Sequence, residues 1–373
     1  MAGIYIHIPF CKQACYYCDF HFSTSLKYKD DMLDAIIREI TLQKNYLLGD
    51  SIETIYFGGG TPSLLDAGDI NRIIDTLGQH HSISSDSEIT LEANPDDLDQ
   101  QKVQALRSTA VNRFSIGIQS FYDEDLFWMN RAHRSAEAEA SVKRAQDAGF
   151  ENITVDLIFG YPLLTDTKWK HNMDTVFALQ VPHVSAYSMT VEPQTALASF
   201  IKKKVYAPLN EQQSAEQFLK LADAMQVKGF EHYEISNYAK PGHYSKHNTN
   251  YWRGVKYLGL GPSAHSFNGE ARQWNIANNA KYISAINNNE IPAETEVLSE
   301  KDRLNEYVMT SLRTMWGLDL NHLETIAVGA KTERLKPATE FLEKEWITQK
   351  DSKLVLTREG QLYADTIAAE LFF

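Results

Sequence analysis

Six short runs rich in β-branched and aromatic residues, each followed by a polar or glycine-rich loop and then a stretch of helical periodicity, constrain this chain more than any other feature. They are Gly3–Ile8, Thr54–Phe57, Glu88–Glu92, Arg113–Ile118, Asn152–Ile158 and His183–Ser188. Between them the apolar period changes. Met32, Leu33, Ile36, Ile37 and Ile40 fall at helical spacing within Asp30–Leu48, with aspartates at the front and Gly49 just past the end. Ile70, Ile73, Ile74 and Leu77 do the same before Gly78. Strands that alternate with helices pair in parallel, because each right-handed crossover returns the chain to the same end of the sheet. The repeat degenerates after Tyr187, so the pattern predicts an α/β fold built as an incomplete barrel of six strand–helix units rather than a closed barrel of eight. Parallel barrels and sheets gather their chemistry at the carboxyl ends of the strands. Here those ends carry a cysteine loop, the glycines Gly58–Gly60, then Glu92, Gln119 and, within the fifth strand, Asp156.

Beyond a helical stretch at residues 210–228, residues 230–267 are dense in Tyr, His, Gly and Asn and read as a substrate-side or interdomain surface. A first domain over residues 1–270 is expected. Lys301–Thr314 and His322–Glu345 look helical, Trp346–Thr357 looks like a hairpin, and a last helix spans Glu359–Phe372. That order suggests a small helical, winged-helix-like domain over residues 296–373. The chain carries 49 acidic against 36 basic residues, a formal charge of -13, and offers no basic stripe for nucleic acid or an anionic membrane surface. It has neither a basic leader before a long apolar run nor an apolar segment of membrane-spanning length, so a cytoplasmic protein is expected.

All three cysteines, Cys11, Cys15 and Cys18, lie in one C-x3-C-x2-C run. An odd number clustered in a single loop makes a disulfide framework implausible and points to a metal centre. Two kinds fit the spacing. His21 would complete a four-ligand zinc set, and three thiolates alone would hold an iron–sulfur cluster with one iron left open.

The run Cys11-x3-Cys15-x2-Cys18, with Tyr17 before the third cysteine, resembles the signature of the radical S-adenosylmethionine superfamily. Tyr5-Ile6-His7-Ile8-Pro9-Phe10-Cys11, Gly58-Gly59-Gly60-Thr61-Pro62 and Ser115–Phe121 are similar to segments of the oxygen-independent coproporphyrinogen oxidase family, a resemblance that spans residues 3–268. It implies a radical S-adenosylmethionine barrel, a 4Fe–4S cluster on Cys11, Cys15 and Cys18, and S-adenosylmethionine bound to the open iron. In such proteins one electron splits the sulfonium into methionine and a 5'-deoxyadenosyl radical. Tyr5, Tyr17, Gly59, Gly60 and Thr61 occupy positions matching the family's cofactor contacts. So do Glu92, Gln119, Arg131, Asp156 and Thr190, the last where the better-known enzyme has a small apolar residue. A guanidinium at Arg131 suits a carboxylate, and Glu92 and Asp156 suit ribose hydroxyls or an ammonium.

Two departures separate the chain from the oxidase. Phe20 stands where the oxidase motif continues with a fourth cysteine, and only two residues precede Gly3 where the oxidase carries a long segment. Both resemble the HemW subgroup, which implies binding of heme and its delivery to apo-hemoproteins; the alternative is oxidative decarboxylation of coproporphyrinogen. His247-Asn248-x2-Tyr251-Trp252 is similar to that subgroup's own motif. A histidine beside two large aromatics offers heme an axial ligand and a flat wall, which makes His247, Tyr251 and Trp252 the heme candidates. His7, next to the cysteine loop, is a further histidine of interest.

Overall fold

Each of the six β-rich runs carries two faces of different chemistry, and that difference makes the molecule hollow. A computed structural model describes all residues, Met1–Phe373. The runs form strands β1 (Ala2–Ile8), β2 (Ile52–Gly59), β3 (Ile83–Ala93), β4 (Arg113–Gln119), β5 (Asn152–Phe159) and β6 (His183–Ser188), paired in parallel and in sequence order. Successive side chains of a strand point to opposite faces. Ile4, Ile6, Ile55, Phe57, Phe114 and Ile116 are fully buried and belong to one continuous apolar core beneath the helices. The alternate residues Tyr5, His7, Thr54, Tyr56, Arg113 and Ser115 line an interior cavity instead. Polar side chains need water or a ligand around them, so this barrel keeps a cavity where other parallel barrels pack branched aliphatic layers.

The helices between the strands are α1 (Lys29–Leu42), α2 (Ala67–His80), α3 (Gln100–Leu106), α4 (Asp123–Trp128), α5 (Ser135–Asp147), α6 (Asp166–Ala178), α7 (Ala196–Lys202) and α8 (Glu211–Val227). The helical period reaches Leu48, but α1 stops at Leu42; residues 43–49 coil into turns, with Leu48 and Gly49 both at positive φ.

The segment expected to be an aromatic and polar surface is itself sheet. β7 (Glu231–Glu234) and β8 (Asn237–Ala239) form a hairpin antiparallel to β6. The chain then crosses the open side of the barrel through α9 (Lys246–Trp252) and places β9 (Tyr257–Leu260) parallel to β1. β10 (His265–Phe267), β11 (Ala271–Asn275), α10 (Asn279–Asn287) and β12 (Ala293–Val297) follow, giving one twelve-stranded sheet in the order β12-β11-β10-β9-β1-β2-β3-β4-β5-β6-β8-β7. The sheet thus runs past residue 270, to Val297. Glu39 of α1 pins these strands. Its buried carboxylate accepts from Tyr282 Oη (2.5 Å), the Gly261 amide (2.7 Å), Asn275 Nδ2 (2.7 Å) and Gln43 Nε2 (2.8 Å), so its burial leaves no oxygen unsatisfied.

The remaining elements are α11 (Glu300–Leu312), β13 (Leu318–Asp319), α12 (Leu320–Ile326), α13 (Ala330–Glu343), β14 (Ile347–Lys350), β15 (Lys353–Leu356), α14 (Arg358–Gln361) and α15 (Ala364–Glu370). Their helix–strand–helix–helix–strand–strand order and separate apolar core make a winged-helix-like unit. The stretch read as one helix over His322–Glu345 is two, because Gly329 at φ 88° breaks it.

Candidate functional site

The cysteine loop is closed at its base before any metal is considered. The Cys11 amide donates to the Ser23 carbonyl (3.0 Å) and the Ser23 amide to the Pro9 carbonyl (2.9 Å), so residues 11–22 leave and re-enter at one point. His7 Nε2 donates to the His21 carbonyl (2.8 Å), which ties the far end of the loop back to β1. The glycine loop after β2 is stitched to the same place, with the Gly60 amide on the Ile8 carbonyl (2.9 Å) and the Thr61 amide on the Phe10 carbonyl (2.7 Å). A Cβ at Gly60 would stand 2.6 Å from that Phe10 carbonyl oxygen. Gly59, at φ 104°, would bring a Cβ within 2.6 Å of the His7 ring. Both positions therefore require glycine for close approach.

A cavity of about 410 Å3 opens between these loops and the strand ends. Cys11, Cys15, Cys18, Tyr17, Gly59 and Gly60 line one side of it; Thr61, Glu92, Gln119, Arg131, Asp156 and Thr190 line the rest. All the expected cluster and cofactor residues meet there except Tyr5, which lies deeper, in the barrel interior, with its hydroxyl on His7 Nδ1 (3.2 Å).

Arg131 is the one cation that lines this mouth. Burial raises the Glu92 carboxyl to about 7, against a hydrogen bond from Tyr56 Oη (2.7 Å) and reinforced by the neighbouring Asp156. Burial raises Asp156 to about 6, partly offset by bonds from Ser185 and Ser115 (3.2 Å). Burial also pushes the Cys18 thiol up to about 12 and raises Cys11, whose sulfur accepts from Thr61 Oγ1 (3.4 Å). The Glu92 and Asp156 carboxyls and the Cys11 and Cys18 thiols, which face one cavity, would give up protons to a cationic group bound there. Gln119 Oε1 and Arg131 Nε are buried without partners, and Gln119 holds a left-handed φ of 67° where β4 ends. The residues present therefore fit a 4Fe–4S cluster on the three cysteines with S-adenosylmethionine beside it. The spacing-based zinc alternative is not supported: His21 is not among the residues that line the cavity with the three cysteines, and no group of histidine, cysteine or carboxylate side chains closes around a single ion.

Arg131 differs from expectation in detail. Its Nη2 donates to Asn94 Oδ1 (2.7 Å) and the Gly117 carbonyl (2.9 Å), while Nη1 approaches Cys15 Sγ (3.5 Å) and Tyr17 Oη (3.4 Å). It clamps the cysteine loop onto β4 in addition to facing the cavity. Asn94, which also donates to Thr61 Oγ1 (3.3 Å), is a site residue that sequence reasoning missed. Its position in an Asn-Pro pair just after β3 was the available signal.

Below the mouth lies a second cavity of about 740 Å3. Tyr56, Ser115, Tyr187 and the exposed Phe20 line both, so the two spaces adjoin. His247, Tyr251 and Trp252 all line this interior cavity. The amides of Lys246 and His247 donate to the Glu88 carboxylate (both 3.1 Å), which docks the start of α9 on β3. Burial lowers His247 to about 4, so its imidazole is neutral near pH 7. The ring stacks on Tyr56 (5.0 Å) and its Nδ1 pairs with Thr54 Oγ1 (2.8 Å). His7 and His183 also line this cavity, but each has both ring nitrogens engaged, His183 through Thr154 Oγ1 (3.0 Å) and Tyr233 Oη (2.8 Å). His21 and His265 line the cavity too; of the five, His247 and His265 keep Nε2 free, and His265 is an exposed residue whereas His247 is held inside by Thr54 and Tyr56.

Residues 5–176 match the family model of the Radical SAM superfamily, whose members use a 4Fe–4S cluster and S-adenosylmethionine, and residues 298–363 match that of the HemN C-terminal domain. The solved structure of coproporphyrinogen III oxidase (HemN) from Escherichia coli superimposes with a TM-score of 0.85 over 100% of this chain and 90% of its own; at 23% identity this shows the fold. The heme chaperone HemW of Synechocystis is 31% identical over 99% of this chain and 95% of its own. That of Bacillus subtilis is 34% identical over 98% of both, and at that identity and coverage the present chain belongs to the HemW family.

Proposed function

We propose that this chain binds heme in its barrel interior and delivers it to apo-hemoproteins in the cytoplasm, with a 4Fe–4S cluster and S-adenosylmethionine held at the adjoining mouth. The observation that carries the reading is the free Nε2 of His247, set beside aromatic walls in a cavity of about 740 Å3. When Nδ1–H donates to Thr54, the lone pair resides on Nε2, the tautomer an iron ligand needs. Tyr5 and Tyr56 give the same cavity flat surfaces. The cavity lies within the size range of small-ligand sites.

The bound cluster and S-adenosylmethionine supply one-electron chemistry. The chain's own residues hold them: three thiolates for the cluster, the glycine loop for close backbone approach, and Glu92 and Asp156 for positive charge. Phe20, at the rim between the two cavities, supplies no fourth thiolate there. The test is hemin titration of the reconstituted protein, with a saturable Soret shift expected and its loss in His247→Ala. Turnover of coproporphyrinogen to protoporphyrinogen under reducing conditions would replace this reading with the oxidase.

A further inference from the structure

Outside the barrel a separate cleft of about 410 Å3 lies between β9–β11 and the helices α11 and α12 of the C-terminal unit. We propose that this cleft is a second heme site, from which the cargo is handed over; the proposal rests on the reading above that heme is the cargo. The ligand class it fits is a flat aromatic molecule with two carboxylates on one edge.

Charge is the first argument. The chain carries an excess of acid, yet this cleft presents Arg253, Arg272 and Arg303 against one carboxylate, Glu306. Arg272 is paired with Glu306 at 2.9 Å. Arg253 lies over the Trp316 ring (4.2 Å), which holds its guanidinium plane, and neither Arg253 nor Arg303 has a carboxylate within ion-pair distance. Two guanidiniums without a carboxylate partner, lining one cleft, match two propionates, since each can donate a bidentate pair.

Shape is the second. Tyr251, Tyr257 and Phe267 form a continuous aromatic wall with ring centroids 5.8 and 6.5 Å apart, and Tyr307 faces the cleft from the other domain with His322 packed on its edge (4.5 Å). Continuity is the third. Tyr251, Tyr257 and Arg272 line both this cleft and the barrel cavity that holds His247, so they form the partition between the two spaces. A flat molecule leaving His247 past Tyr251 would enter the cleft with its carboxylates toward Arg253 and Arg303.

The experiment uses the full reconstituted chain, hemin as the probe and apomyoglobin as the acceptor. Arg253 and Arg303 are both exposed, so R253S/R303S should fold, which circular dichroism checks. R253S/R303S is expected to keep the tight Soret-shifted site at His247 but to pass hemin on about tenfold more slowly, while R253K/R303K retains most of the rate. His247→Ala is expected to keep weak residual hemin binding that disappears when combined with R253S/R303S. Transfer by R253S/R303S at the unaltered rate, with the residual binding of His247→Ala also unaffected, overturns the cleft and leaves the barrel site standing. Absence of saturable hemin binding by the unaltered chain overturns the barrel reading and the cleft with it.

Discussion

Glu92 and Asp156 set the pH behaviour of the mouth. Burial raises Glu92 from 4.5 to about 7. In the unfolded chain it titrates near its ordinary value, so between these limits the folded protein holds more protons than the unfolded one. Stability of the ligand-free protein then falls as pH rises through that window, by an amount on the order of 3 kcal/mol for Glu92 alone. Glu92→Gln can still accept from Tyr56 Oη, and it is expected to flatten the slope between about pH 5 and pH 8 in urea denaturation. An unaltered slope would assign the effect elsewhere. The cysteines behave differently, because they are partly exposed loop residues outside the apolar core. Cys15→Ala is expected to lose the iron–sulfur absorbance and keep a native far-UV spectrum; global unfolding would indicate a structural metal instead. These residue types were legible in the sequence because rare chemistry was concentrated in one loop and at strand ends. Asn94 was not, since an asparagine before proline reads as an ordinary turn until Thr61 and Arg131 are seen to share it.

At the level of elements, the two loops after β1 and β2 form one unit, and glycine placement separates close approach from simple backbone freedom. Gly59 has φ 104° and would meet the His7 ring, whereas Gly149 has φ 87° with nothing within 4 Å of a Cβ. Gly149→Ala should cost about 1 kcal/mol, from backbone strain alone. Gly59→Ala carries a comparable strain and also displaces His7 from the His21 carbonyl, so it is expected to cost clearly more and to loosen the cysteine loop. Chemical denaturation of both variants gives the comparison, and equal losses would mean that His7 does not anchor the loop. Of the long elements, the six parallel strands were readable from alternation of β-rich and helical periods. The three- to five-residue strands β7–β12 were not, because so few positions do not establish a period; their pairing depends on β6 and β1 being available as templates.

For the molecule as a whole, two apolar cores of unequal size, 60 and 16 buried residues, predict two unfolding steps. The smaller C-terminal core should melt first, and S-adenosylmethionine should raise the later transition rather than the earlier one, because the site proposed for it is at the barrel mouth. A single cooperative calorimetric peak would show that the interdomain contacts, such as Arg272 with Glu306 and the Met315 amide on the Tyr233 carbonyl, couple the two units. What the sequence determined by itself is local: the period of each strand and helix, the thiol spacing, the glycines beside them, and the polar character of one strand face. Those follow from covalent order and side-chain chemistry. What only the tertiary structure decided is where the polar faces meet: that they enclose two adjoining cavities, that α9 carries His247 into the deeper one, and that its Nε2 is left free. No residue's neighbours in the chain reveal these things, because they arise where strands distant in sequence close on a common interior.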